Sequence, residues 1–481
     1  MTMESTGPAT SFDRDASEHE VVGWARSLKE LIRSEQDESE RLGHYTEGVH
    51  ERMQELGLNH LLTPRRFGGL EVSLKTWLRT VIEISAADPG VGWCYCLGHS
   101  HNIQAAALWP ESVQVEAFAA PEGYFRSSHS LAPAGTARKV EGGYELTGVS
   151  RYQSGSPFST HAIVFVTVEG ETDESGAQRT AQVLLPRALY TPLDDWGQGR
   201  VLGMRASGSN SVAFEKAVVP AEHLVPATWA GEIDPSLTGA ALHGNPIYVG
   251  SVQAFLGAEL AAVTVGAARA ALDEWEELAR VRKAPLPPFS LRDHDPASQR
   301  IFGEAAIKAD AAEAILMQVA DTIAEWSEAF VLRGAPLTRG MDTRLNGLTL
   351  EAGRLASEAV DMLFQSAGSS EARPGRRMER YARDIMMYRT HAAAQYGAWM
   401  QGIGATILGV QRSAFDLPST APAGGAASGA APAAGAAGAA SGAAPAAGAA
   451  GGGVAPAAGA GSASAGSAWA GGASAGGAGG R

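Results

Sequence analysis

Cysteine is nearly missing from this 481-residue chain; the two present are Cys94 and Cys96. One intervening residue strains a disulfide between them, and neither has another partner. So few thiols lead us to expect a reducing, cytoplasmic setting. Basic charge is scarce too. Lys and Arg number 38 against 52 Asp and Glu, a formal net charge of −14, and no basic run interrupts this. Nucleic acids and anionic membranes are polyanions, so neither is an expected partner. No apolar run approaches the roughly 18–20 residues of a membrane helix. Met1 to Glu20 carries no apolar core of the kind found in secretory signals. A dinucleotide loop is lacking as well. Gly197-x-Gly199 has no third glycine at the right place and no strand–helix–strand unit around it. After Asp416 there is no charge until Arg481.

What is present is 45% hydrophobic residues, enough for a large core. Val21, Trp24, Leu28, Leu31 and Ile32 recur at helical spacing, and a second helix carries His50, Met53 and Leu56 up to Gly57. Leu74–Ala87 and Val91–Leu108 read as further helices, so residues 19–120 form a helical domain. The period then changes to two. Lys139-Val140 and Tyr144 to Thr147 flank a Glu141-Gly142-Gly143 turn, and short runs at 162–168, 181–185 and 211–219 follow. This predicts a compact antiparallel, barrel-like β domain over 121–228. Helical period returns from Val252. Long helices at Pro296–Ser327, Thr343–Ala367 and Arg376–Leu408 predict a four-helix bundle over 245–412. The ends differ in kind. Residues 1–18 read as a disordered N-terminus. Residues 413–481 are an Ala/Gly/Pro tail in which Ala426–Gly438 recurs unchanged at Ala439–Gly451. Such a composition cannot offset its ordering entropy. A partner-binding role for the tail would rest on Trp469 alone.

Three separated stretches carry the chemistry. Gly142 to Gly148 runs on to Tyr152-Gln153-Ser154-Gly155-Ser156. Leu202-Gly203-Met204-Arg205-Ala206-Ser207-Gly208-Ser209 closes at Val218-Val219-Pro220. Arg380-Tyr381-Ala382-Arg383-Asp384 precedes His391. Glu55 to Leu58, Pro64 to Gly69, Ile84 to Asp88 and Gly92-Trp93 come before them in order. Together these resemble the acyl-CoA dehydrogenase fold over roughly residues 20–412. Dehydrogenases of this fold carry an acid and a Gly-Thr after the Arg-Asp pair. Ile385 to Ala398 has neither and offers His391 instead. With the Ser-Gly after the hairpin, this resembles the two-component flavin-dependent monooxygenase branch, which includes aromatic hydroxylases and dibenzothiophene oxygenases.

That resemblance implies an α–β–α subunit in a homotetramer. It implies reduced FMN or FAD supplied by a separate NAD(P)H:flavin reductase, O2, a flavin C4a-hydroperoxide, and an aromatic or polycyclic small-molecule substrate. Ser154, with Ser156 second, would meet flavin N5, since a hydroxyl both donates and accepts. The same serines would also suit a turn that closes a strand. His391 falls on one helical face with Asp384, Tyr388 and Gln395 and could move a peroxide or phenol proton near neutral pH. That face could equally be a solvated stripe. Trp93, His99, His129 and Tyr388 would face the substrate. Arg282, beside Arg280 at a helix end, would grip the flavin phosphate, although a surface cation there is common. Ser207 and Ser209 would close the cofactor site with Gln365, Gly368 and Ser369 of a neighbouring subunit. Cys94, Cys96, His99 and His101 are zinc-ligand types at too tight a spacing, so no metal is expected. The competing readings are an acyl-CoA dehydrogenase or flavin oxidase, and a non-catalytic homologue.

Overall fold

A computed structural model describes residues 16–173, 176–250 and 252–410. The expectations for residues 1–15 and for the 413–481 tail with its repeat lie outside the described residues. The chain opens with α1 (Glu18–Ser27), capped by Ser17 and Glu20 in a reciprocal box. Then come α2 (Lys29–Ser34), α3 (Gln36–Leu42), α4 (Glu47–Glu55), α5 (Leu74–Ser85), α6 (Pro89–His99), α7 (His101–Leu108) and α8 (Glu111–Phe118). Asp88 starts α6 by accepting from the Val91 amide at 3.0 Å, with Pro89 at the first helical position. The expected single helix over 91–108 is two. At Ser100 the hydrogen bonding tightens from Ser100 N to Cys96 O into Ile103 N to Ser100 O, which ends α6 and starts α7.

The strands are β1 (Ser127–Val140), β2 (Gly143–Ser150), β3 (His161–Thr172), β4 (Gln178–Pro186), β5 (Thr191–Pro192), β6 (Val212–Val219) and β7 (Leu224–Pro226). They form one seven-stranded sheet in the order β5-β6-β2-β1-β3-β4-β7. The hairpin of β1 and β2 turns at Gly142, whose φ of 84° suits glycine. The antiparallel, barrel-like expectation needs correction. β1 and β3 pair in parallel, and the sheet is open, with β5 and β7 at its edges. The cause is the connection through residues 151–160. It carries the chain from the end of β2 back to the start of β1, so β3 sets out beside β1 in the same direction.

After α9 (Gly239–His243) come α10 (Gln253–Val281), α11 (Pro296–Arg333), α12 (Arg339–Ala367), α13 (Arg377–Thr390) and α14 (Tyr396–Leu408). α10 is rich in Ala and Gly and packs against α5, α6, α11, α12 and α13. A Cβ on Gly266 would lie 2.3 Å from the Cβ of Ser85, so glycine sets the close approach of α5 and α10. Contrary to the sequence expectation, α10 is long and apolar enough to cross a membrane; 83% of its apolar window is buried inside the protein, as befits a central core helix. The expected helix over 376–408 is also interrupted. It stops at Thr390, makes a short turn through residues 392–394 and restarts at Tyr396.

Candidate active site

Two loops of the β region meet the start of α6. In the first, Ser154 follows Tyr152, whose φ of 58° is strained for a tyrosine. In the second, Met204 is similarly strained, with φ at 51°. The loops are zipped together by backbone bonds. Gly155 N donates to Ser207 O at 3.1 Å and Ser156 N to Gly208 O at 3.2 Å. The side chain of Ser156 donates to the same Gly208 carbonyl at 3.2 Å, which makes it a fastener within the protein. Ser154 is different. Its Oγ accepts from Trp93 Nε1 at 3.0 Å and lies 2.8 Å from Ser209 Oγ, which in turn lies 2.7 Å from Ser207 Oγ. Depending on how that row of hydroxyls is oriented, Ser154 has a proton to donate or a lone pair to offer.

Trp93 links this serine row to the end of α13. Its ring meets His391 edge-on, with centroids 5.5 Å apart, and Tyr388 at 6.4 Å. His391 lies just beyond the helix, where its Nδ1 accepts from the Ala393 amide at 3.1 Å. That bond places the neutral ring's proton on Nε2. His391 is exposed as a residue, yet the protein around it desolvates the ring and lowers its pKa. The helix break also changes the expected shared face. Asp384 points away, accepting from the Met204 amide at 2.6 Å.

The Arg380 to Asp384 stretch acts as a strut. Arg380 donates to Glu40 and Asp37, both at 2.7 Å, and Arg383 donates to Glu40 at 2.8 Å and to the Leu202 carbonyl at 3.1 Å. The arginines hold the Glu40 carboxyl below its usual range against the opposing effect of burial. Burial first, then the neighbouring Asp88 carboxylate, pushes Asp384 up. A Cβ on Gly203 would lie 2.1 Å from Arg383 O, so the second loop lies directly on α13.

Other expected site residues lie elsewhere. His99 is on a different face of α6, with Nδ1 on the Tyr95 carbonyl at 2.9 Å and Nε2 buried without a partner. Burial holds it neutral. His129 stacks on Phe165 and meets His101 edge-on. Cys94, Cys96, His99 and His101 do not converge, and no cluster suited to a metal occurs among the described residues. Arg282 ends α10, donating to Ser370 and to the buried carboxylate of Glu371. Cys96 touches α10 at Glu259, and from there to Arg282 the helix runs on for roughly 35 Å at about 1.5 Å per residue. Arg282 is therefore distant from Trp93 within one chain, and its guanidinium is already matched by an acid. Beside it, Arg292 donates to the carbonyls of Ser366 and Lys283. Arg292 also feels the carboxylates of Asp295 and Glu371, and the Arg282–Glu371 pair lies near Gly368 at the end of α12. Exposed Gln365 and Ser369 flank this turn. Sequence reading missed Arg126, which is fully buried and packs under Gly155. An arginine entering a strand carries no periodic signal of burial.

The donor set fits a flavin in two places: a hydroxyl able to meet a ring nitrogen at Ser154, and guanidinium donors for a phosphate at the Arg282 turn. Residues 258–396 match the family described as acyl-CoA dehydrogenase, C-terminal domain. The chain is 28% identical over 368 residues to a pigment production hydroxylase of Rhodococcus sp. (strain ATCC 21145), covering 76% of this chain and 88% of that one. It is 27% identical over 405 residues to a dibenzothiophene monooxygenase of Rhodococcus qingshengii, covering 80% and 92%. It is 26% identical over 371 residues to HsaA of Rhodococcus jostii (strain RHA1), a flavin-dependent monooxygenase oxygenase subunit, covering 76% and 92%. Among solved structures, XiaF from Streptomyces sp., in complex with FADH2 and glycerol, has the same fold. Its TM-score is 0.73 at 22% identity, over 84% of this chain and 97% of that one.

Proposed function

We propose, from the membership of this chain in the acyl-CoA dehydrogenase fold superfamily, that it is the oxygenase of a two-component flavin-dependent monooxygenase acting on an aromatic or polycyclic small molecule. The observation that carries the proposal is Trp93, whose indole N–H holds Ser154 while its ring meets His391 and Tyr388. Supporting it are relatives named as hydroxylase, monooxygenase and oxygenase subunit. Reduced flavin, when bound, supplies the two electrons with which O2 gives one oxygen atom to the substrate and the other to water.

The chain's own residues do the rest. Ser154 hydrogen-bonds the flavin ring, and Trp93 and Ser209 fix its orientation. His391 Nε2, the carrier of the mobile proton, delivers or takes one at the reacting oxygen. Trp93 and Tyr388 offer aromatic faces to a planar substrate. Arg282, Arg292 and Ser370 hold the phosphate of a flavin seated in a neighbouring copy, which makes the working unit an oligomer, a homotetramer on our reading. On our reading NAD(P)H oxidation belongs to a separate reductase that shares a cytoplasmic compartment with this chain. A dehydrogenase would need a carboxylate base at the flavin. The buried acid on α10, Glu259, has its carboxyl by Ser100 at the end of α6, and burial pushes its pKa well above the usual range.

The test is to mix the protein anaerobically with chemically reduced FMN, then admit O2 in the presence of indole, dibenzothiophene or a phenol. Oxygenated product should form, and none with NADH or NADPH and no reductase. Tightly bound FAD reduced by an acyl-CoA would overturn the proposal.

A further inference from the structure

Arg126 is unused by this mechanism, and it is costly to keep. It immediately precedes β1 and is 0% exposed. No carboxylate among the described residues pairs with it. Nη1 donates to the Tyr45 hydroxyl, Nη2 donates to the Cys94 carbonyl at 2.7 Å and to its thiol at 3.3 Å, and Nε has no partner. The rings of Tyr45 and Phe158 lie 5.3 and 5.8 Å from the guanidinium carbon. A charge taken out of water is ordinarily matched by an opposite one. Here a hydroxyl, a carbonyl and two ring faces solvate the charge without cancelling it. Its titratable neighbours do not cancel it either. Burial keeps Tyr45 and Tyr124 as phenols and Cys94 as a thiol. Burial, aided by the guanidinium itself, pushes His50 down to about 4 and His99 well below its usual value.

Two glycines make room for this cation beneath the serine loop. A Cβ on Gly98 would lie 2.2 Å from Nε, and one on Gly155 would lie 2.9 Å from Nη2. Gly155 therefore rests on the guanidinium, one residue from Ser154. The loop presents a hydroxyl with a fixed positive charge behind it.

We infer that Arg126 is a positioning residue that biases the Ser154 site toward the anionic, reduced form of a flavin and away from the neutral, oxidised form, an inference that rests on the flavin reading above. Reduced isoalloxazine ionises near neutrality, whereas the oxidised ring is uncharged. A fixed cation reached through protein instead of water favours the first. The site would then keep the flavin a reductase delivers and release it once oxidised.

Anaerobic titration of the full-length protein with reduced and with oxidised FMN tests this, comparing wild type, Arg126→Lys and Arg126→Met. Wild type should bind reduced FMN more tightly. Arg126→Lys should keep most of that preference. Arg126→Met should lose about tenfold or more of it, the scale on which one charge acts through protein, by weakening the reduced form alone. A merely structural role would weaken both forms together. Should Arg126→Met not fold, the wild type still decides. Its bound reduced FMN, followed by absorbance against pH, should stay anionic at a lower pH than free FMN. Equal wild-type affinities, an unchanged preference in Arg126→Met, or an unshifted bound titration would overturn the inference and leave the flavin reading standing. No binding of either form by the wild type would overturn both.

Discussion

Replacing Trp93 with Phe separates the two tasks of its indole. A benzyl ring still lies against His391 and Tyr388, but the donor to Ser154, now 3.0 Å away, is lost. Trp93 is only 5% exposed, so no water replaces that donor readily. The lost hydrogen bond is worth about 0.5–1.5 kcal/mol, and the smaller ring adds a packing loss, for a total of about 1–3 kcal/mol in stability. Ser154 keeps Ser209 as its partner but can now rotate. If the proposed site is right, reduced-flavin affinity should fall between about two- and tenfold, the equivalent of that hydrogen bond. Product formed per O2 consumed should fall with it, because a loosened Ser154 no longer holds the ring against water. Anaerobic titration, a melting curve and an oxygen electrode with product assay give the three numbers. A destabilised Trp93→Phe protein with unchanged flavin affinity and coupling would refute the reasoning, since Trp93 would then be core packing and Ser154 would owe it nothing.

The two serines of the first loop should part company. Ser154→Ala should weaken reduced-flavin binding with little change in melting, whereas Ser156→Ala should cost about 1 kcal/mol of stability through its lost bond to Gly208 and leave affinity nearly intact. His391→Asn should bind reduced flavin normally but lose about 10²–10⁴ in oxygenation rate, with hydrogen peroxide released instead; a wild-type rate would make His391 a surface residue. Desolvation lowers the His391 pKa, so the acid limb of activity should fall below the ordinary histidine value, and His391→Asn should abolish that limb. Glu40→Gln strips the carboxylate shared by Arg380 and Arg383 and should cost about 3–5 kcal/mol in denaturant unfolding, as for breaking a buried ion pair. The Asp384 carboxyl is raised in the folded state, so its contribution to stability is greatest below about pH 4 and declines as pH rises toward neutrality; Asp384→Asn should flatten that part of the melting-temperature profile.

The sequence by itself determined the order of the architecture. Apolar spacing is a local property, and it marked the helical runs around Val21–Ile32, His50–Leu56, Leu74–Ala87 and Val91–Leu108, the runs that became β2, β3, β4 and β6, and the long helical stretches after residue 252. The Gly142-Gly143 hairpin was legible because only a few neighbouring dihedrals decide it. The late histidine and the Ser-Gly were legible as residues. What they touch was not. Pairing direction depends on where a chain re-enters a sheet, so the parallel β1–β3 contact left no mark in either strand's pattern. The breaks at Ser100 and at His391 shift which face a side chain presents. The break at His391 moved that residue off the Asp384 face to a turn beside the indole, whereas His99 and Trp93 share α6 and are parted only by its 3.6-residue turn. Charges were the hardest to place. Arg282 read as a phosphate grip and carries a buried glutamate partner; Arg126 went unnoticed and sits uncancelled under Gly155. Spacing reports the face of one helix or strand, but the cost of burying a charge is set by whatever atoms the rest of the chain brings to it, and only the tertiary structure assembles those atoms.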